Sequence, residues 1–100
     1  MANVQLHPDA RAELNAAFDW YLERSPSAAR AFLVQIDEAI ARIEESPHSW
    51  PPYEYGTRRF LVRVYPFHVV YLEEKGNIEI IAVAHDKRKP GYWVDRVGAI

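Results

Sequence analysis

The residue types able to do chemistry concentrate in the second half of the chain. Arg59, Arg63, His68, His85, Arg88 and Tyr92 are the candidates. An imidazole titrates near pH ~6.5 and can act as general base or acid. A guanidinium grips a phosphate bidentately and stabilises added charge. Arg59 and Arg63 stand four apart in "RRFLVRVY". On a strand they share one face, opposite Phe60, Val62 and Val64. The alternatives for that face are a solvated surface or ion pairs with Glu54 or Glu79. His68 begins "HVVYLE", and His85 ends the apolar run from Ile80 to Ala84. Lys87, Arg88 and Lys89 then form a cationic knot, Pro90-Gly91 turns the chain, and Tyr92 and Trp93 follow. Cations beside aromatics suit single-stranded nucleic acid, with charge for phosphate and flat rings for bases. They equally suit a protein interface. In a third arrangement Tyr92 and Trp93 fold back and cap the sheet.

Other chemistries lack their residues. There is no cysteine, hence no disulfide or thiolate metal site. His7 and His48 have no evident partner, and the histidines lack metal-ligand spacing. No Gly-rich phosphate loop, nucleophile–His–Asp set or distinct carboxylate pair is visible. The expectation is a chain without cofactor or metal.

The elements that must position these residues follow from periodicity. "NVQLH" (3–7) alternates and reads as a short strand. Pro8 opens a helix, because its missing N–H has no partner to lose at the first helical position. Leu14, Ala17, Phe18, Tyr21 and Leu22 mark its apolar face. Ser25-Pro26 ends that helix and caps the next, which carries Ala29, Phe32, Leu33, Ile36, Ile40 and Ile43 and stops before Pro47. So short a turn predicts an antiparallel helical hairpin. "HSWPPYEYGT" (48–57) is a loop, with Trp50, Tyr53 and Tyr55 pinning it to the core. Three strands follow at 58–65, 67–73 and 77–85, joined by a turn at Pro66 and by Lys75-Gly76. Their short links force antiparallel pairing. The expected architecture is α+β, in the order β-α-α-β-β-β, with a helical hairpin on one face of a small, mostly antiparallel sheet. The guanidinium and imidazole groups are then displayed on the reverse face.

Length and composition agree. One hundred residues suit one domain spanning 1–100, with 49% hydrophobic and 26% charged residues. The N-terminus has no signal-peptide pattern, and no apolar run approaches a membrane span. The net charge of −2 hides a split, with residues 1–57 net acidic and 58–100 net basic. A basic half hints at an anionic partner; solvated acidic helices explain the same numbers.

The phrases "HPDARAELNAAFDWY", "SPSAARAF", "IEESPHSWPP", "RRFLVRVYPFHVVYLEE" and "AVAHDKRKPGYW", in that order, resemble the RelE/ParE superfamily of toxins. These belong to type II toxin–antitoxin modules and are often described as plasmid-stabilisation proteins. The resemblance implies a cytoplasmic, growth-inhibiting toxin, neutralised by a cognate antitoxin in a hetero-oligomer. The antitoxin would lay an extended or helical segment over apolar surface of the sheet or hairpin. RelE-like members are metal-independent mRNA endoribonucleases (mRNA interferases) on the ribosome, in which the ribose 2′-hydroxyl attacks the adjacent phosphate. ParE-like members inhibit DNA gyrase without being nucleases. A toxin-fold protein without toxicity is the third reading. In the nuclease, His68 or His85 would be base or acid, Arg59 and Arg63 would hold the phosphate, Arg88 would assist, and Tyr92 would stack on a base. The chain departs from the RelE-like pattern. "HVVY" places His68 where an arginine is usual, and the loop before the second strand offers only Glu54 among charges. A pI of about 6.1 is also low for docking on ribosomal RNA.

Overall fold

The computed structural model describes residues 3–98. Its order is β1 (Asn3–Leu6), α1 (Pro8–Arg24), α2 (Pro26–Glu45), β2 (Arg58–Leu61), β3 (Phe67–Glu74) and β4 (Asn77–His85), with short 3-10 turns at Glu54–Gly56 and Val94–Arg96. The sheet runs β1-β4-β3-β2. β2 with β3 and β3 with β4 are antiparallel, and β1 lies parallel to β4 through Val4 opposite Ile78 and Leu6 opposite Ile80. Among the described residues no helix is long and apolar enough to cross a membrane.

Local chemistry sets the helix ends. His7 has a partner after all: its Nδ1 accepts the Asp9 N–H at 3.0 Å and caps α1, with Pro8 at the first position. Ser25 serves both helices. Its N–H donates to Tyr21 O at 2.7 Å, and its Oγ accepts from Ala28 N at 3.2 Å. The buried stripe of α2 is Ala29, Phe32, Ile36, Ala39 and Ile43, as periodicity requires. On α1 the packed line is Ala10, Leu14, Ala17 and Tyr21, whereas Leu22 is exposed. A line with spacings of 4, 3 and 4 points one way; Leu22, the next residue, is turned about 100° off it.

The second strand-like run is shorter than its pattern. β2 ends at Leu61, not at residue 65. Val62 still donates to Phe67 O at 2.9 Å, but Val64 has φ 75° and is 92% exposed. Pro66 has no N–H to continue a ladder. Tyr65 instead reaches across to Ala28 O at 3.1 Å and packs on Tyr21 and Phe32. Arg63 and Val64 therefore sit in a turn, and the expectation that Arg59 and Arg63 share a strand face fails. The Lys75-Gly76 turn is as expected, with φ 52° and 82°, the signature of a tight hairpin.

The sheet is covered on both sides. Phe32, Ile36, Ile43, Val69, Tyr71 and Ile80 fill the helix side. On the reverse, Val70, Ile81, Ala82, Ala84 and Trp93 form a second buried cluster. A bulge makes that possible: Val70 pairs with Ala82 and Tyr71 with Ile80, so Ile81 is extra, and Ile81 and Ala82 both join the reverse cluster. Trp93 is 1% exposed. The tail thus caps the reverse face, and the expectation of an open display of cations there is corrected.

Candidate functional site

The six nominated residues fall into separate groups. Arg59 lies on the reverse face, its guanidinium 4.6 Å from the centre of the Tyr53 ring. His68, buried at 6% exposure, meets the edge of the same ring and places Nδ1 2.9 Å from Asp86 Oδ1. Tyr53 leans in turn on Trp93. Arg58 points the other way, as alternation requires, and donates to Trp50 O at 2.7 Å. Arg63 stands exposed beyond the end of β2 and joins neither group.

His85 belongs to the helix side. It sits opposite Phe67 in the β3–β4 ladder, while His68 sits opposite Ala84. Adjacent register positions alternate in face, so the two imidazoles point to opposite sides of the sheet. His85 packs edge-on to Phe67 at 5.2 Å, and its Nδ1 accepts the Lys87 N–H at 3.1 Å.

Arg88 and Tyr92 meet where the tail passes the open edge of β4. β1 reaches only as far as Leu6, and its last contact with β4 is His7 N–H on Ile80 O at 2.9 Å. Beyond it, two side chains satisfy the strand edge. Glu13 Oε1 accepts from Val83 N at 3.0 Å, and Arg96 Nη1 donates to Ile81 O at 3.1 Å. The two also pair bidentately, at 2.9 and 3.0 Å. Tyr92 donates to Glu13 Oε2 at 2.6 Å, and the Arg88 guanidinium stacks over the Tyr92 ring at 3.7 Å. Burial first, then the hydrogen bond to the Glu13 carboxylate, pushes the Tyr92 hydroxyl well above its ordinary range. For Arg96 burial pulls downward, but the Glu13 carboxylate reverses it and the guanidinium ends above its usual value.

Next to this edge a cavity of about 460 Å³ opens between α1 and the end of the sheet. His85, Arg88 and Tyr92 line it together with Ala16, Trp20 and Phe67. Three of the six nominated residues thus share a border. Arg59 and His68 share another face, and Arg63 is alone. Among the described residues no group of three or more His, Asp or Glu side chains is placed to hold a metal ion.

Glu13 and Arg96 escaped the sequence reading. Glu13 is one of several acids on the helices and Arg96 one cation at the end of the tail, and neither stands out by type or position. Eighty-three positions separate them, so no spacing rule links them. His48 also gains a neighbour, its Nε2 lying 3.5 Å from Glu73 Oε1.

Comparison with known proteins bears on this geometry. Residues 4–90 match the family model described as "ParE toxin of type II toxin-antitoxin system, parDE". Among solved structures, one described as "Chromosomal ParDE TA system from P. aeruginosa" is similar at a TM-score of 0.75 and 21% identity, covering 85% of this chain and 96% of that one. At that identity the likeness is one of fold. No curated protein matches the sequence.

Proposed function

The chain belongs to the ParE toxin family of type II toxin–antitoxin systems, and from that premise we propose that it is a growth-inhibiting toxin neutralised by its cognate antitoxin. It acts in the cytoplasm by binding a protein target, DNA gyrase, rather than by cutting RNA. The observation that carries this is the dispersal of the catalytic candidates. Acid–base catalysis of 2′-hydroxyl attack needs a base and a phosphate clamp within hydrogen-bond reach of one phosphate. Here His68 is tied to Asp86 on one face, and Tyr92 to Glu13 at the sheet edge. Arg63 stands apart from both. The exposed Arg88 and the neighbouring Lys87 and Lys89 serve as a binding epitope instead. The test adds purified toxin to a gyrase supercoiling reaction and to a translating extract. Blocked supercoiling beside intact mRNA is expected.

A ribosome-dependent nuclease is the second reading, favoured by the cavity that His85, Arg88 and Tyr92 border together. In it His85, whose Nδ1 is taken by the Lys87 N–H, is the acid through Nε2, Arg88 stabilises the phosphate, and Tyr92 stacks on a base. It requires codon-specific cuts that His85→Ala abolishes while antitoxin binding persists. Harmless expression at high level, with neither effect, selects the toxin fold without toxicity.

A further inference from the structure

The cavity beside α1 is built like a socket. Its volume of about 460 Å³ lies in the range of sites that hold one compact ligand group, roughly 300–1,000 Å³. Ala16 and Ala17 keep one wall low, and Trp20 and Phe67 supply apolar sides. Trp20 is 52% exposed, so about half of its indole surface is open to a partner. The rim carries basic side chains. The Arg24 guanidinium lies 3.7 Å over the Trp20 ring, and Arg88 and His85 stand across the opening. Among the described residues Glu13 is the one carboxylate at the border; it is engaged by Arg96, Tyr92 and the Val83 N–H, and Arg88, 54% exposed, lies only 3.8 Å from it, which leaves most of that guanidinium open to a second carboxylate.

We propose that this cavity seats the antitoxin, and that the docking segment carries one bulky apolar side chain with a carboxylate within a turn of it. The inference rests on the toxin reading above. The apolar side chain enters between Ala16 and Phe67 and covers Trp20; the carboxylate meets Arg88. Three observations favour a protein segment of that chemistry. The walls are apolar, which a phosphate backbone does not match. The space is too small for a helix but fits one anchor residue projecting from a helix or strand. The half of the chain that supplies Phe67, His85 and Arg88 is net basic, so an acidic partner is electrostatically matched and is steered to it.

The test measures the affinity of the full chain for its antitoxin by titration calorimetry. Ala16 is exposed on α1, so Ala16→Phe fills the socket without disturbing the core. It is expected to weaken binding by about thirtyfold or more, the loss typical of an interface hot spot. Arg88→Gln is expected to weaken it by about fivefold in dilute buffer, with the difference shrinking in concentrated salt. Val34→Ser, at an exposed site on α2 outside the cavity, is expected to leave affinity unchanged. Cooperative unfolding of each variant shows that it is folded. If the antitoxin binds both cavity variants as tightly as the parent, the docking inference is overturned while the toxin reading stands. If Ala16→Phe weakens binding and Arg88→Gln does not at any salt, the acidic half of the inference is overturned. If the parent neither binds an antitoxin nor arrests growth, the toxin reading falls first and takes the inference with it.

Discussion

At the residue scale the molecule depends on Glu13. One carboxylate, 16% exposed, accepts from a strand N–H, a phenol and a bidentate guanidinium. Those contacts join α1, β4 and the tail. Removing it leaves Arg96, itself 15% exposed, without its main counter-charge and the Val83 N–H without an acceptor. Glu13→Ala is expected to cost about 3 kcal/mol in urea unfolding, the usual penalty for orphaning a shielded charge. Arg96→Met alone should cost a comparable amount, and the pair combined clearly less than the two losses added, because each single change removes the same interaction. Additive losses would mean that the two groups act independently. Tyr71 sets a pH limit. Its hydroxyl donates to Pro47 O at 2.7 Å. Burial raises its pKa to about 12, against a smaller downward pull from Arg58 and an upward push from Glu73. Folding therefore favours the protonated phenol. That stability is whole below the unfolded value near 10 and is lost as pH rises from 10 towards 12. Unfolding free energy followed through that window should fall, by on the order of 2 kcal/mol from this group. Tyr71→Phe should make the fall shallower. Tyr92 and Tyr21, also raised by burial, contribute with the same sign, so a residual slope remains.

At the element scale, what could be read in the sequence is what depends on neighbours. Both helices, their shared cap at Ser25 and the Lys75-Gly76 turn follow from spacing and from residue type. The stop of β2 does not. "RRFLVRVY" alternates up to Tyr65, and nothing local says that Tyr65 will leave the strand for Ala28 O. The cost of that excursion falls on Val64, a β-branched residue at φ 75°, where a Cβ crowds the following carbonyl by roughly 1–2 kcal/mol. Asparagine tolerates this region far better. The Val64 side chain is almost fully exposed, so Val64→Asn loses no burial. It should stabilise the protein by about 0.5–1 kcal/mol, seen as a higher urea midpoint at unchanged slope. A lower midpoint would show that the turn relaxes on its own and stores no strain. The bulge at Ile81 was equally illegible. A continuous apolar run such as "IIAVA" does not say which residue is extra, because both faces are buried.

At the scale of the whole molecule, the architecture was legible, and the reverse face was left open between displayed cations and a tail folded back as a cap. Composition allows one layer of helices; it does not say that the tail will supply a second cover. Trp93 is what makes that cover. It lies against a cluster of Val70, Ile81, Ala82 and Ala84, in which the two alanines leave room for one large ring. Trp93→Ala is expected to cost about 3–5 kcal/mol, a large part of the roughly 5–15 kcal/mol that a domain possesses. The same reasoning predicts how the loss is recovered. A partner that binds only the folded state adds stability by mass action, near 2.7 kcal/mol at about a hundred times its Kd. The socket beside α1 borders the opposite side of the sheet from Trp93, in the company of Phe67 and Val83. Antitoxin seated there should therefore still bind the Trp93→Ala chain and raise its melting temperature in a concentration-dependent way. Ala16→Phe in the same background should abolish that rise. If antitoxin fails to protect Trp93→Ala although the variant is folded, the reverse face is itself part of the interface, and the tail, not the socket, is what the antitoxin holds.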